Sequence, residues 1–278
     1  MRLATWNVNS IRARVDRVVD YLERADIDVL LIQETKCKPE QLPLAPFAQA
    51  GYDVIAHGLN QWNGVAIASR MGIADVETSF ANQPAFSKPG ADPVVEARAI
   101  GATCGPLRVW SVYVPNGRGL DDPHYAYKRA FLARLADAAG TWAGQPVAIG
   151  GDFNVAPTPT DIWDEADAEA PTHVTQEIRE DLVRLEHAGF AELSRRFVPD
   201  ERRYTFWDYK QLRFPRNEGM RIDFLYASAA AAAAATGAAI ERDERKGKGA
   251  SDHVPVVVDF DPDRLGITGG TVISSPRR

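Results

Sequence analysis

Six apolar runs in this chain end or begin with polar side chains that a packed core would exclude. The segments are WNVNS, LLIQETK, VYVPNGR, GGDFN, MRIDFLY and GASDHVPVVVDF. A single Asn or Asp at a strand end usually belongs to a turn, but six such places in one chain exceed what turns explain. The polar residues concerned are Asn7, Asn9, Gln33, Glu34, Tyr113, Asn116, Asp152, Asn154, Asp223, Asp252 and His253.

Three of these residues are candidate metal ligands. Glu34 and Asp252 offer carboxylate oxygens and Asn7 an amide oxygen, a set that suits Mg²⁺, which accepts one or two carboxylates and keeps several waters. Zinc is disfavoured because the chain lacks paired His or Cys residues at ligand spacing. The sequence therefore predicts a magnesium site, which Mn²⁺ could also occupy.

Asp223 and His253 are a candidate dyad. Asp223 lies between Ile222 and Phe224, and a buried carboxylate there must be paired. A carboxylate on one ring nitrogen fixes the tautomer and orientation of a histidine. Because adjacent strand residues point to opposite faces, His253 and Asp252 should have separate roles.

Basic residues lie close to the same motifs. Arg118 follows YVPNG, and four cations fall within residues 210–221, between WDY and RID. Cations at the rim of a site would bind phosphate groups. For Arg14, Arg17 and Arg24, on a predicted helix, we favour a solvated charged face, whereas the 210–221 cluster is assigned to substrate.

The elements that must position these groups are short strands. Nine apolar runs are bounded by Gly, Pro, Asn or Asp, and too many follow one another without a helix for a purely parallel sheet. A mixed or sandwiched pair of sheets is expected. The predicted strands cover 2–8, 28–34, 52–58, 64–70, 94–104, 107–115, 146–152, 221–228 and 252–260.

Helices are predicted between some of these strands. The segments 10–26, 122–143 and 172–190 carry apolar residues at helical spacing, with Ser10 as N-cap of the first and Gly189 as stop of the last. The alanine run 229–235 has high helix propensity. Helices on the outside of two sheets follow.

Length and composition limit the number of domains and the kind of protein that this chain can be. The chain has 278 residues, 45% hydrophobic and 25% charged, with a net charge of −6. We predict one domain over 1–261 and a flexible tail over 262–278. Without a secretory or membrane-spanning segment, and with Cys37 and Cys104 in unrelated contexts, a cytoplasmic location without membrane contact is expected.

Taken together, the motifs resemble a known family. WNVNSIRAR, QETK, YVPNGR, GGDFN, TFWDY, MRIDFL and SDHVPV, in this order, are similar to those of the exonuclease III family of apurinic/apyrimidinic endonucleases. That family is part of the endonuclease/exonuclease/phosphatase superfamily. The resemblance covers nearly the whole chain, from Met1 to about Phe260.

The resemblance implies an α/β fold, a four-layer α/β sandwich of two mixed β-sheets packed face to face with helices on both outer faces. It implies that Glu34 is the principal metal ligand, with Asn7 and Asp252 nearby. Asp152 would orient or deprotonate the attacking water, and Asn154 would fix that geometry. The implied phosphate-binding residues are His253, supported by Asp223, with Tyr113 and Asn116.

The resemblance also implies a pocket and DNA contacts. Phe206 and Trp207 would line a small apolar pocket that accepts a sugar without its base. Met220 stands where family members often carry a larger aromatic residue. The expected partner is double-stranded DNA with abasic sites or 3′ ends, bound by a monomer. The remaining implied substrate contacts are Arg118, Lys210 and Arg221.

The expected activity is Mg²⁺-dependent incision 5′ to abasic sites in base excision repair, with 3′–5′ exodeoxyribonuclease and 3′-phosphatase activity. Two alternatives stay open at this point. A phosphatase of small phosphoesters would share the metal site but would have no use for TFWDY or the basic 210–221 cluster. A DNA-binding protein without activity would have no use for the complete set of candidate catalytic residues.

Overall fold

The computed structural model describes residues 1–87, 90–167, 171–199 and 202–266. Twelve strands and eight helices occur within these ranges. The strands are β1 Arg2–Asn7, β2 Val29–Gln33, β3 Asp53–His57, β4 Val65–Ser69, β5 Ala74–Glu77, β6 Ala99–Cys104, β7 Leu107–Tyr113, β8 Val147–Asp152, β9 Phe190–Glu192, β10 Asp223–Ser228, β11 Ala235–Ile240 and β12 Val256–Phe260. The helices are α1 Ile11–Arg24, α2 Leu44–Gln49, α3 Pro123–Trp142, α4 Pro171–Val174, α5 Gln176–His187, α6 Leu193–Phe197, α7 Arg213–Arg216 and α8 Ala229–Ala234.

The strands form two six-stranded mixed sheets. The first sheet has the order β11-β12-β1-β2-β4-β3, and the second has the order β5-β6-β7-β8-β10-β9. Each sheet contains one parallel pair, β1 with β2 and β7 with β8, while the other neighbours are antiparallel. In each sheet a helix, α1 or α3, connects the two parallel strands, as a parallel crossover requires.

The two sheets pack face to face. Alternate residues of each central strand point inward, so Leu3 and Leu31 of the first sheet meet Val109 and Leu225 of the second. The intervening residues point outward, where Trp6 packs beneath α1. Helices α3 and α5 cover the outer face of the second sheet. The predicted four-layer α/β sandwich is confirmed.

Two glycines in β8 allow close packing next to the functional region. A Cβ on Gly150 would lie 2.6 Å from the Leu225 side chain and 2.7 Å from that of Leu31, which comes from the opposite sheet. A Cβ on Gly151 would lie 1.9 Å from the backbone oxygen of Val112. A larger residue at either position would push β8 away from its neighbours.

Several helix predictions need correction. Ser10 precedes α1 with φ 89° and makes no capping hydrogen bond through its side chain. The predicted helix over 172–190 is two helices, because Thr175 interrupts it and caps α5 by accepting from the backbone N–H of Ile178. The alanine run is helical only to Ala234, and Ala235 begins β11. Gly189, with φ 92°, does follow the end of α5.

The chain end is also better defined than predicted. Residues 263–265 form a short 3₁₀ turn, and Leu265 is buried against the core between the sheets. The rest of the predicted tail, residues 267–278, lies outside the described residues. Within the described part of the chain, Cys37 and Cys104 are buried free thiols. Among the helices of that part, none combines the length and the apolar character that a membrane span requires.

Candidate active site

The candidate site lies where strand ends of both sheets meet. Within the second sheet, Asp152 at the end of β8 is in register with Tyr113 of β7 and with Asp223 of β10. Asn7 ends β1 in the first sheet, next to the end of β2. The sheet registers alone therefore place three of the predicted site residues side by side.

Side-chain contacts join the two sheets at this edge. Asn7 Nδ2 donates to Asp152 Oδ2 at 3.0 Å, and the Tyr113 hydroxyl donates to Glu34 Oε1 at 2.8 Å. His253 Nδ1 lies 2.8 Å from Asp223 Oδ2. Each contact pairs a residue of the first sheet or its flanking loops with a residue of the second, so the site depends on the packing of both.

The first sheet contributes what we call the acidic half, formed by Asn7, Asn9, Glu34, Lys36 and Asp252. Lys36 Nζ lies 2.7 Å from Glu34 Oε2 and 2.6 Å from Asn9 Oδ1. Asn9 Nδ2 in turn donates to Asp252 Oδ1 at 3.0 Å. A chain of polar contacts thus runs from Glu34 to Asp252 through one ammonium group.

Charge pairing controls the ionisation of the acidic half. Burial by itself would raise the pKa of Glu34, but Lys36 and Asn7 outweigh it, so the pKa lies below its usual value. Asn7 Nδ2 also donates to Glu34 Oε1 at 2.9 Å, while its Oδ1 accepts from the backbone of Asn9. As placed here, Asn7 orients two carboxylates and does not offer its oxygen to the cavity.

The donor set of the acidic half fits a divalent cation. Glu34 and Asp252 line the same cavity and present hard oxygen ligands, as Mg²⁺ prefers. The ammonium of Lys36 shows that the oxygens of Glu34 and Asn9 stabilise positive charge at this place. A second acidic group, Asp152, Asp223 and His253, places one ligand atom from each within 4.8 Å. There the imidazole, bonded to Asp223, already supplies the positive charge.

The predicted dyad is formed. His253 Nδ1–H donates to Asp223 Oδ2, which also accepts from the Thr205 hydroxyl at 2.6 Å. Burial would lower the pKa of His253, but the carboxylates of Asp223 and Asp152 raise it to about 10. The imidazole is therefore a cation at neutral pH, and its Nε2 lies 3.8 Å from Asp152 Oδ2.

Asp152 is at the centre of the site and is buried. Burial raises the pKa of Asp152, opposed by His253 and reinforced by Asp223 and Glu34, to about 7. A carboxylate with this pKa accepts a proton near neutral pH far more readily than an ordinary aspartate. Its Oδ1 accepts from the backbone N–H of Asn154 at 2.9 Å.

The second sheet contributes what we call the amide half, formed by Asn116, Lys128, Asn154 and His173. Asn154 adopts φ 52°, which brings its side chain back beside the strand end. Its Nδ2 donates to the backbone oxygen of Val114 at 3.0 Å. Its Oδ1 faces Nε2 of His173 at 3.1 Å and Nδ2 of Asn116 at 3.4 Å.

Sequence reasoning missed His173 and Lys128. Lys128 is fully buried, and its ammonium donates to the backbone oxygens of Asn116, Asn154 and Thr172. Burial lowers the pKa of Lys128 to about 7, with Asp152 opposing the shift. No motif surrounds either residue. For Lys128, the sequence contained one indication of burial, because this lysine stands at a position of α3 where apolar residues recur.

A cavity of about 210 Å³ opens onto both halves. One wall is apolar and is formed by Trp163, Phe206, Met220 and Ile222. The Phe206 ring lies 4.8 Å from the His253 ring. Sequence reasoning also missed Trp163, whose Nε1 donates to Asp167 at 2.9 Å and whose ring lies 5.0 Å from the Arg213 guanidinium.

Two predicted substrate contacts need correction. Trp207 is fully buried against Tyr204 and Val254 and does not line this cavity, because it faces the side of its segment opposite to Phe206. Arg221 is 1% exposed, and it donates to Ser194 at 2.8 Å and to the Val198 backbone. Both residues stabilise the fold beneath the site and cannot reach DNA.

The other predicted contacts lie at the surface. Asn116 lines the cavity, whereas Arg118 and Lys210 are exposed outside it. Within the same basic cluster, Arg213 is buried against Asp167, and Arg216 pairs with Glu218. Of the four cations predicted between 210 and 221, Lys210 is therefore the one best placed to meet a phosphate.

Comparison with known proteins identifies relatives over most of the chain. The model of the Endonuclease/Exonuclease/phosphatase family matches residues 4–253. Exodeoxyribonuclease of Bacillus subtilis is 29% identical over 262 residues, which cover 92% of this chain and 98% of that protein. Recombination repair protein 1 of Drosophila melanogaster is 30% identical over 94% of this chain, but the match spans only 37% of that longer protein.

Solved structures give the same result. An AP endonuclease from Archaeoglobus fulgidus is 32% identical, with a TM-score of 0.85, covering 94% of this chain and 99% of that one. A variant of the 3′ phosphatase NExo from Neisseria, bound to a product DNA hairpin, is 31% identical with a TM-score of 0.86 and coverage of 94% and 99%.

Proposed function

We propose that this chain, which belongs to the endonuclease/exonuclease/phosphatase family, incises duplex DNA 5′ to abasic sites. Within that family it belongs to the exonuclease III branch of AP endonucleases, which are hydrolytic nucleases. The proposed reaction is Mg²⁺-dependent hydrolysis of one phosphodiester bond. It would belong to base excision repair.

One observation carries this proposal. Asp152, with its pKa raised to about 7, lies between the His253 cation and the Asn7 amide, on the wall of a cavity that also has an apolar side. These groups would supply a proton acceptor, a cation for phosphate and a space for a sugar within one cavity. Phosphodiester hydrolysis needs the first two, and selection of an abasic sugar needs the third.

Asp152 would hold and deprotonate the attacking water. The water oxygen forms a new bond to phosphorus while its proton passes to Asp152. The bond from phosphorus to the 3′ oxygen breaks, and that oxygen takes up a proton from solvent water to become a hydroxyl, while Asp152 later returns its proton to solvent. The products are a 3′-hydroxyl end and an abasic sugar that keeps the 5′-phosphate. Asn154, whose backbone N–H donates to Asp152 and whose side chain lines the same cavity, would fix the direction of the water.

His253, Tyr113 and Asn116 would bind the phosphate. His253 stays protonated because Asp223 holds its Nδ1–H, so the opposite nitrogen can donate to a phosphate oxygen. Burial and Glu34 keep the pKa of Tyr113 well above its usual value, so this hydroxyl remains a donor. Preorganised donors of this kind stabilise the charge that develops in the transition state.

Glu34 and Asp252 would hold the divalent cation, which stabilises negative charge on the phosphate oxygens when bound. Asn7 keeps the Glu34 carboxylate in place through its amide nitrogen. The aromatic and aliphatic wall formed by Phe206, Met220, Ile222 and Trp163 would contact the sugar. A base-free sugar is also extruded from the helix at lower cost than a stacked nucleotide.

The same machinery would act at 3′ ends of duplex DNA. A terminal nucleotide or a 3′-phosphate presents the same bond between phosphorus and a 3′ oxygen, so exonuclease and phosphatase activities need no further catalytic group. Lys210 and Arg118, exposed beside the cavity, would contact the DNA backbone.

An end-labelled duplex with one abasic site tests the proposal. With Mg²⁺ the wild-type protein should produce a single nick 5′ to the site, and EDTA should abolish it. Asp152→Ala should reduce the rate by ~10³-fold or more, because the proton acceptor is lost. An intact duplex of the same sequence is the control substrate. Equal cleavage by wild type and Asp152→Ala, or no abasic preference, would contradict the proposal.

A further inference from the structure

His173, on the four-residue helix α4, is a buried side chain in the wall of the cavity. Its Nε2 lies 3.1 Å from Oδ1 of Asn154 and 3.4 Å from Nδ2 of Asn116. The proposed reaction gives it no role. It nevertheless contacts the amide that would fix the attacking water.

The orientation of the Asn154 amide identifies the proton on His173. Asn154 Nδ2 donates to the backbone oxygen of Val114 at 3.0 Å, so Oδ1 is the atom that faces the imidazole. A carbonyl oxygen can only accept a hydrogen bond. Nε2 of His173 therefore carries the proton of this contact.

This contact determines which atom Asn154 presents to the cavity. A free primary amide can turn by half a rotation and exchange its oxygen and nitrogen. Here that rotation would set Oδ1 against the carbonyl of Val114 and the amide nitrogen against the Nε2–H of His173. The first would be a repulsive contact of like groups, and the second would require the ring proton of His173 to move from Nε2 to Nδ1, so one orientation is favoured. The second N–H of Asn154 is then available to a ligand in the cavity.

Lys128 holds the segment that carries His173. Its ammonium joins the backbone oxygens of Asn116, Asn154 and Thr172, the residue before His173. The Thr172 hydroxyl donates to the Asn116 backbone at 2.8 Å. Catalytic constellations of this precision depend on supporting contacts that lock each side chain. The position of His173 is thus set by the same network that sets Asn154.

We propose that His173 is a positioning residue for hydrolysis: its Nε2–H holds the Asn154 amide in the one orientation that presents an N–H to the attacking water. This inference rests on the proposed function. It assigns His173 a different part from His253, since the imidazole of His173 donates to a side-chain amide and that of His253 is a cation beside two carboxylates.

Two substitutions distinguish the loss of the Nε2–H donor of His173 from a change in the shape of its side chain. His173→Phe keeps a planar ring of similar size but removes the donor, and His173→Gln keeps an N–H at about the reach of Nε2. We expect the Phe variant to lower kcat on the abasic duplex by about 10- to 100-fold with KM within about threefold, and the Gln variant to recover most of the loss. His187→Phe, the same change on an exposed histidine of α5, should leave kcat unchanged.

A coupling measurement distinguishes positioning from damage to the fold. In an Asn154→Ala background, His173→Phe should cause no further loss, because the amide it orients is absent. Melting temperatures show whether the variants are folded. Equal kcat for wild type and the Phe variant, equal losses in the Phe and Gln variants, or additive losses with Asn154→Ala would overturn the inference.

The NMR signal of the ring nitrogens tests the same contact without catalysis. In ¹⁵N-labelled wild-type protein, Nε2 of His173 should carry a proton protected from exchange, and Asn154→Ala should remove that protection. Absence of nicking by the wild type would refute the proposed function and leave this result standing. An unprotonated Nε2 would refute the role of His173 even in an active enzyme.

Discussion

The two halves of the candidate site each contain one lysine, and the surroundings of the two lysines differ. Lys36, in the acidic half, has a side chain that is 31% exposed and contacts a carboxylate and an amide oxygen of other side chains. Lys128, in the amide half, is fully buried and contacts three backbone oxygens. One cation is held by side chains at the edge of solvent, and the other is enclosed by the backbone of three segments.

This difference between the two lysines suggests different functions for the acidic half and the amide half. A cation beside solvent, held by a salt bridge, can move aside at modest cost, so the proposed metal ion could take the place of the Lys36 ammonium. A buried ammonium that satisfies three backbone carbonyls cannot leave without breaking the local structure. On the proposed function, the cation of the acidic half would be exchangeable, whereas the amide half would be a fixed frame beside Asp152.

The largest effect is expected in the acidic half. Glu34→Gln keeps the shape of the side chain but removes the negative charge on which the proposed metal site depends. We expect kcat/KM on the abasic duplex to fall by about 100-fold or more, with a higher Mg²⁺ requirement. Glu40→Gln, on an exposed turn nearby, is the matched control. An unchanged Mg²⁺ requirement would place the metal elsewhere.

The second-largest effect is expected for Lys128, in the pH dependence of the free energy of unfolding. Its pKa is about 7 in the folded protein and near 10.5 for the free side chain, so the unfolded state binds the extra proton between these values. Stability from this group therefore rises with pH across that window. Relative to Lys128→Met, the wild type should gain about 3 kcal/mol from pH 7 to pH 9.5.

Urea unfolding of both proteins at the two pH values measures this difference. Comparing wild type with variant cancels groups that titrate alike in both, including His253, whose raised pKa acts in the opposite direction. A stability difference that does not change with pH would mean that Lys128 is an ordinary charged ammonium in the folded protein, and the contrast between the halves would fail.

A smaller effect is expected from Lys36. Lys36→Met removes the ammonium that now occupies Glu34 and Asn9, so the acidic half becomes more negative and should bind a cation more tightly. We expect the Mg²⁺ concentration for half-maximal cleavage to fall by about fivefold, equivalent to about 1 kcal/mol. Lys38→Met, an exposed neighbour, should not change it. A higher Mg²⁺ requirement would show that Lys36 assists the metal.

The smallest effect should come from Lys210, which belongs to neither half. Lys210→Ala should weaken duplex binding by a few-fold and lower the slope of log affinity against log salt by about 1, because one phosphate contact is lost. Arg134→Ala, on the exposed side of α3, should change neither value. Titration of an uncleaved abasic duplex with each variant at several salt concentrations measures both the affinity and its salt dependence.

Much of the site could be predicted from sequence because polar residues at strand ends are conspicuous. A carboxylate inside MRIDFLY needs a partner, and His253 was the available one, so the dyad followed. The resemblance assigned both Phe206 and Trp207 to the pocket, although adjacent residues of an extended segment face opposite ways, and the sequence did not show which of them faces the cavity. The basic 210–221 cluster gave no information on burial, so Arg221 could not be recognised as a buried residue.

The residues that were missed share a physical cause. His173 and Lys128 lie in helical segments without unusual local composition, and each acts through contacts far away in the chain. Lys128 meets Thr172, 44 positions away, and His173 meets Asn154, 19 positions away. Local sequence patterns indicate the secondary structure of a segment and which of its faces is buried. Contacts between distant residues depend instead on how α3 and α4 pack onto the second sheet.

The sequence by itself determined the elements and the chemical groups: short strands, two glycines in β8, and acids and amides where strands stop. These follow from backbone propensity and from the cost of burying polar atoms. The tertiary structure decided which groups meet. Asn7 and Asp152 are 145 positions apart and come within 3.0 Å only because two sheets pack face to face with their strand ends aligned. That alignment is a property of the core between them.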